Sequence, residues 1–240
     1  MPFRHGKAAE ILLGGVGYAQ DVSPFLFSVQ WNAYAPAAEV STFKSTWRSY
    51  IAGTLFSQFF GYGYYDPTLT NVRTTLQAAP GVLSYAPAGA LVIGDFVRQL
   101  SFNTVEYKEA PKTTSAVPFQ WSVDSTAPVG VGVSLHPLAS ENVGTITGTG
   151  DGILTSASST TGGIGHLHVT AYTSGTHSFK FQDATTIGGA YTDIASGAFT
   201  NVTAVGAQRL IVPGTIRQFV RCVAVIGTAA ATYSVSFART

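Results

Sequence analysis

The chain has 240 residues, 10% of them charged, 45% hydrophobic and 12% aromatic, and its 13 basic and 12 acidic side chains balance at +1. That balance excludes the broad basic field by which proteins hold phosphate backbones, and no apolar run approaches the ~20 residues of a membrane helix. A charge content so far below the roughly 25% of soluble domains leaves apolar surface to be covered, so self-association is the first expectation.

The opening Met1-Pro-Phe-Arg-His-Gly-Lys7 lacks the apolar core of a signal peptide, so a soluble protein not exported by its own sequence is expected. Aromatic and β-branched residues then mark strands at 10–13, 24–34, 54–64, 96–108 and 115–123. One helix is expected near 67–78: Asp66-Pro67 supplies a capping acid and a first-turn proline, Leu69, Val72 and Leu76 follow at helical spacing, and Ala79-Pro80-Gly81 stops it. Between Tyr34 and Tyr50 the segment is too long for a tight turn and carries Phe43 and Trp47. It reads as a projecting loop that makes contacts.

A Gly/Ser/Thr-rich stretch at 146–163 reads as a linker between a first domain, 1–145, and a second, 164–240. In the second, Leu167, Val169 and Ala171 alternate with His166, His168 and Thr170, the period of a half-buried strand. Strands at 178–182, 208–212 and 231–238 follow, punctuated by Gly and Asn, and the apolar run Phe219–Ile226 reads as a central strand. The fold class is all-β: a β-sandwich or barrel domain with one short helix, then a small C-terminal β-sandwich.

Cys222 is the single cysteine, lies within that apolar run and reads as a small buried side chain, which fits assembly in a reducing cytoplasm. His166 and His168 share a strand face that His177 could approach from a neighbouring strand. The alternative for strand histidines, packing at an interface or facing solvent, is favoured, and no metal is assigned. No Gly-x-Ser-x-Gly elbow, P-loop or dinucleotide fingerprint is present, and the acids show no paired spacing. No catalytic residue and no cofactor are expected. Gly61-Tyr-Gly-Tyr-Tyr65 suggests a stacking platform, but its aromatics alternate at strand spacing and read as a strand end.

Arg4-His-Gly-Lys7 before the first strand, Asp21-Val-Ser23, Glu39-Val-Ser-Thr-Phe43 and Ser49-Tyr-Ile-Ala-Gly53 form an ordered series. With Gly165-His-Leu-His-Val-Thr-Ala171 and Val235-Ser-Phe-Ala-Arg239 they span most of the chain. In these residues the chain resembles the two-domain major tail tube proteins of long, non-contractile-tailed bacteriophages. It departs where such proteins often carry a Lys-Asp-Gly turn, since Thr54-Leu-Phe-Ser57 stands there instead.

The resemblance implies a virion tail subunit, assembled in the host cytoplasm, forming hexameric or trimeric pseudo-hexameric rings. Those rings would stack into a hollow tube through which double-stranded DNA passes without specific binding. It further implies tail terminator and tail tip proteins as partners, no membrane and no enzymatic activity. Ring-stacking contacts are expected at Glu39, Phe43, Lys44, Trp47, Arg48 and Tyr50. The competing expectation is a capsid decoration or baseplate protein whose C-terminal sandwich binds a glycan.

Overall fold

The computed structural model describes residues 9–34, 37–39, 50–52, 56–65, 76–77, 80–88, 92–110, 117–147, 153–154 and 157–240, with 37–39, 50–52 and 153–154 described by backbone alone. The first ten strands are β1 (Glu10–Gly15), β2 (Tyr18–Asp21), β3 (Leu26–Tyr34), β4 (Ala37–Glu39), β5 (Tyr50–Ala52), β6 (Phe56–Tyr64), β7 (Gly81–Ala86), β8 (Phe96–Glu109), β9 (Pro118–Ser125) and β10 (Gly130–Glu141). The remainder are β11 (Gly144–Thr147), β12 (Ile153–Leu154), β13 (Gly163–Tyr172), β14 (Ser178–Ala184), β15 (Thr192–Ala198), β16 (Gly206–Val212), β17 (Phe219–Ile226) and β18 (Ala231–Arg239).

The all-β class expected from the sequence is what forms. Each strand read from the sequence is present, with β3 starting after a short 3-10 turn at Ser23–Phe25 that Pro24 begins. Of the expected helix, Leu76 and Gln77 are helical and Leu76 is fully buried; the rest of 67–78 lies outside the described residues. Among the described residues no helix is long and apolar enough to cross a membrane. Strands β2, β7, β10, β11 and β15, with β4 and β5 at the ends of the segment read as a loop and β12 in the stretch read as a linker, are not among those the sequence predicts. β10 hides in the sequence because Pro137 interrupts it, and the structure accommodates that proline in an irregular stretch between His136 and Ala139, where ladder bonding lapses.

All described strand pairings are antiparallel. The largest sheet follows the order β16-β13-β18-β10-β8-β7-β1-β2, and β8 carries a branch of β9, β6 and β3. The second sheet runs β11-β17-β14-β15, with β12 also on β17, which makes β17 the central strand expected. The polar stretch 146–163 carries pairings of its own: β12 lies beside Val220 and Phe219, and Ser159 bridges Ile216. Across it, β10 pairs with β18 from Val131↔Arg239 to Glu141↔Ala231, so one sheet draws on both halves of the sequence.

Two aromatic cores result. In the first, Trp121 meets Phe59 at 5.5 Å and Phe102 at 6.2 Å, edge to face, inside the curl of β1, β6, β7, β8 and β9. In the second, Phe179 meets Tyr233 at 4.8 Å and Phe181 meets Phe237 at 5.0 Å between the two sheets. Asp183 closes one end of that sandwich, accepting from the backbone N–H and the Nε of Arg217, each at 2.7 Å.

The cores lie on opposite sides of a thin seam. There β1 and β7 turn their other face to β13 and β16, with Leu12, Ala86 and Val97 in one cluster and Ala19, Val82 and Ala207 in another. Around Gly14 the side chains of the seam are small, and there the layers approach closely. A Cβ placed on Gly14 would stand 2.8 Å from the Ala207 Cβ and 2.9 Å from the Ala19 Cβ. Gly14→Ala is therefore expected to force the layers apart and destabilise the fold by about 1–3 kcal/mol, the usual cost of overpacking. Urea unfolding of the variant against the native chain measures it, and an unchanged midpoint would show that the layers yield.

Candidate assembly surface

The antiparallel pair β3–β6 continues past its last described partners, Tyr34↔Phe56, into a second pair in which Ala37 lies opposite Ala52 and Glu39 opposite Tyr50. The segment read as a loop is thus a β-hairpin arm at its base. The arm places the backbones of Glu39 and Tyr50 side by side. Phe43, Lys44, Trp47 and Arg48 lie outside the described residues.

Around the Trp121 core, β6 alternates two kinds of residue. Its inner face carries Phe59, Gly61 and Gly63, and the glycines leave room for rings: a Cβ on Gly61 would meet Trp121 at 3.0 Å, and one on Gly63 would meet Phe119 at 2.5 Å. The outer face carries Phe56, Gln58, Phe60, Tyr62 and Tyr64. Gly61 to Tyr64 therefore forms a strand end, as the alternation predicts, and Tyr62 and Tyr64 face outward.

Neighbouring strands extend this outer face. Tyr34 stands edge-on to Phe56 at 5.3 Å, and Phe27, released by a bulge between Leu26 and Ser28, lies 5.0 Å from Tyr64. Phe27 is 61% exposed and Tyr64 53%. Between the aromatics runs a ladder of amides and acids: Gln58 Nε2 donates to Asp124 Oδ1 at 2.9 Å, Gln30 Nε2 to Asn32 Oδ1 at 3.0 Å, and Gln120 Nε2 to Glu106 Oε2 at 3.4 Å. Lys108 pairs with Glu106 at the margin. Among the described residues β3 pairs only with β6, so its far edge offers unpaired backbone groups beside this face. The sequence singles out the arm, sets Tyr62 and Tyr64 aside as a strand end and gives no expectation for Phe27 and Phe60; the Tyr/Gly alternation of β6 is the available signal, because glycine inside implies aromatics outside.

The histidines are dispersed. His166 and His168 face the seam, where Ser84 Oγ lies 3.2 Å from His166 Nδ1 and 2.9 Å from His168 Nε2. His177 sits before β14, in the other sheet, where its Nδ1 accepts from the Gly227 N–H at 2.9 Å and its ring stands edge-on to Tyr172. Among the described residues no three His, Cys, Asp or Glu side chains gather as metal ligands would. Cys222 is buried in the second core, and that burial pushes its thiol up to about 12, which suits an inert packing role.

No family model matches the sequence, and no curated protein does. Solved structures do. The chain is similar to a protein of the virion of a native gene transfer agent particle at 13% identity and a TM-score of 0.41, over 54% of this chain and 98% of that one. It is similar to the SPP1 tail tube at 10% identity and a TM-score of 0.42, over 52% of this chain and 77% of that one. The SPP1 Dit protein, described as a hub adsorption apparatus component of phages infecting Gram-positive hosts, matches at 9% identity and a TM-score of 0.36, over 97% of this chain and 99% of that one. Phage tail structures, the class the sequence resembles, are thus among the matches. Likeness at this level does not assign a role.

Phe27→Ser with Tyr64→Ser removes two exposed rings from the outer face. Stability is expected to change by less than about 1 kcal/mol, as for surface positions, while self-association weakens. Sedimentation velocity over a concentration series measures the second effect, and unchanged association would remove this face from the assembly surface.

Proposed function

We propose that the chain is a structural subunit of a bacteriophage tail tube, forming rings that stack into a hollow conduit for the genome. The observation that carries this reading is an edge of β3 that pairs with no strand among the described residues, beside an aromatic outer face, in a chain with 10% charged residues. A ring of identical subunits resolves both liabilities together: each copy covers its neighbour's edge, and closure leaves none exposed. The ordered resemblance in sequence to tail tube proteins supports the same reading.

In this proposal the hairpin arm reaches the adjacent ring, with Phe43 and Trp47 as anchors and Glu39, Lys44, Arg48 and Tyr50 as polar and aromatic surroundings. The division into 1–145 and 164–240 assigns ring formation to the first part. Rings are sixfold, or threefold with both parts in the wall. Their other partners are the tail terminator and tail tip proteins, and double-stranded DNA passes without specific contact. The role is structural and not enzymatic, exercised in the virion tail after assembly in the host cytoplasm.

Electron microscopy of the purified full chain tests this. Stacked tubes are expected, and Phe43→Ala with Trp47→Ala should yield rings or monomers of native circular dichroism without stacks. Stacking undiminished in the variant would overturn the role of the arm. Discrete oligomers that bind empty capsids or bacterial glycans would overturn the tube and favour a decoration or baseplate role.

A further inference from the structure

Strand β13 is buried on both faces from Gly163 to Val169. Leu167 and Val169 enter the second core, whereas His166 and His168, 0% and 1% exposed, are turned the other way onto Ser84 of β7. We propose that the Ser84–His166–His168 contact is an acid-released joint, closed while both imidazoles are neutral and opened when they gain protons.

Stoichiometry of hydrogen carries the argument. Ser84 Oγ has one hydrogen, so it can donate to one ring nitrogen and accept from the N–H of the other ring; two neutral imidazoles satisfy it. The remaining nitrogens, His166 Nε2 and His168 Nδ1, are buried without a partner among the described residues. Because one of these already carries a hydrogen in the neutral pair, protonation adds hydrogens to the other and to the nitrogen that accepted from Ser84 Oγ, so that both rings aim charged donors at Ser84, whose own hydrogen loses its acceptor, with the Leu83 carbonyl a partial receiver at His166. It also sets two cations with ring centres 6.2 Å apart in a dry layer.

Among the described residues no carboxylate forms an ion pair with either imidazole. In register beside His166 are Ser236 of β18 and Arg209 of β16, a third cation; beside His168 are Ser234 and Ala207. From β8, Gln99 donates to Ser236 Oγ at 2.7 Å. β10 adds Ser134, opposite Ser236. Among the described residues the carboxylates on this face are Asp21 of β2, in register with Leu12 and committed to Ser23, and Glu10 of β1, in register with Ala86. His136 is occupied elsewhere, stacked on Tyr233 at 4.3 Å.

Burial accordingly pulls His168 down to about 3 and His166 well below its ordinary value, where His168 and Arg209 add to the effect and the Leu83 carbonyl opposes it. Both groups are lowered in the folded state. Their contribution to stability is therefore complete above the unfolded value of about 6.5 and lost as pH falls from there toward about 3. Opening would turn on the short β8–β10 pairing, Gly130↔Gln99 to Val133↔Phe96, breaking the Val16↔Gly206 bridge at the far side.

Between pH 6 and 5, two buried imidazoles raise the opening constant by up to about 100-fold per pH unit. His166→Gln with His168→Gln should remove that part of the slope in urea titrations at pH 7 and 5. His177, also lowered by burial, keeps its own contribution. An unchanged slope would overturn the proposal. In the native chain, imidazole NMR and paired spin labels at Val16→Cys and Thr203→Cys decide the matter without relying on that variant. Ring protonation and label separation should coincide, with the Trp121 core intact. Protonation near pH 6.5 without separation, or separation only as that core unfolds, would overturn it.

Discussion

Burying both faces of β13 is the constraint around which the two halves are arranged. Its apolar face has an ordinary solution in the aromatic core of Phe179, Phe181 and Tyr233. Its polar face has to meet a partner that can receive two imidazoles and still come close, and the outer surface of β1 and β7 provides this through Ser84 and the small side chains around Gly14. The seam's hydrogen bonds are useful because the layers are near enough to exclude water, and they are near because the residues are small. Neither property would hold the halves together without the other.

The Trp121 core solves the opposite problem. Trp121, Phe119 and Phe59 fill its interior so fully that β6 has glycine at two inward positions. Aromatics that have no room inside are carried outside, to Phe60, Tyr62 and Tyr64, where they become surface available to another molecule. Core packing and assembly surface are thus two faces of one strand.

Legibility followed the range of the physics. Alternation within one strand identified β13, β14, β16 and β18, and aromatic and β-branched content identified β1, β3, β6, β8 and β9, because both signals are local. Alternation placed His166 and His168 opposite Leu167, but could not reveal that their face is buried, since Ser84 lies 82 and 84 positions away. β10 escaped because Gly130, Gly132 and Pro137 read as turn chemistry, whereas its pairing with β18 depends on residues about a hundred positions on, such as Tyr233 opposite Ala139. The polar stretch 146–163 read as linker because its partners, Phe219 and Val220 for β12, Ile216 for Ser159 and Thr240 for Thr161, lie more than fifty positions on, which composition cannot display. The base of the arm, Ala37-Ala-Glu39 against Tyr50-Ile-Ala52, is too short to carry a period.

The position of β18 reaches beyond architecture into biosynthesis. It lies between β10 and β13 in the largest sheet, yet it leaves the ribosome after every other described strand. Until then β10 and β13 each wait with an unfilled edge in a chain already holding most of its aromatic residues. Contacts across so long a sequence separation make for slow closure. A nascent or truncated chain lacking this strand presents two adhesive edges to its neighbours, which makes the arrival of β18 the step that separates ordered assembly from aggregation.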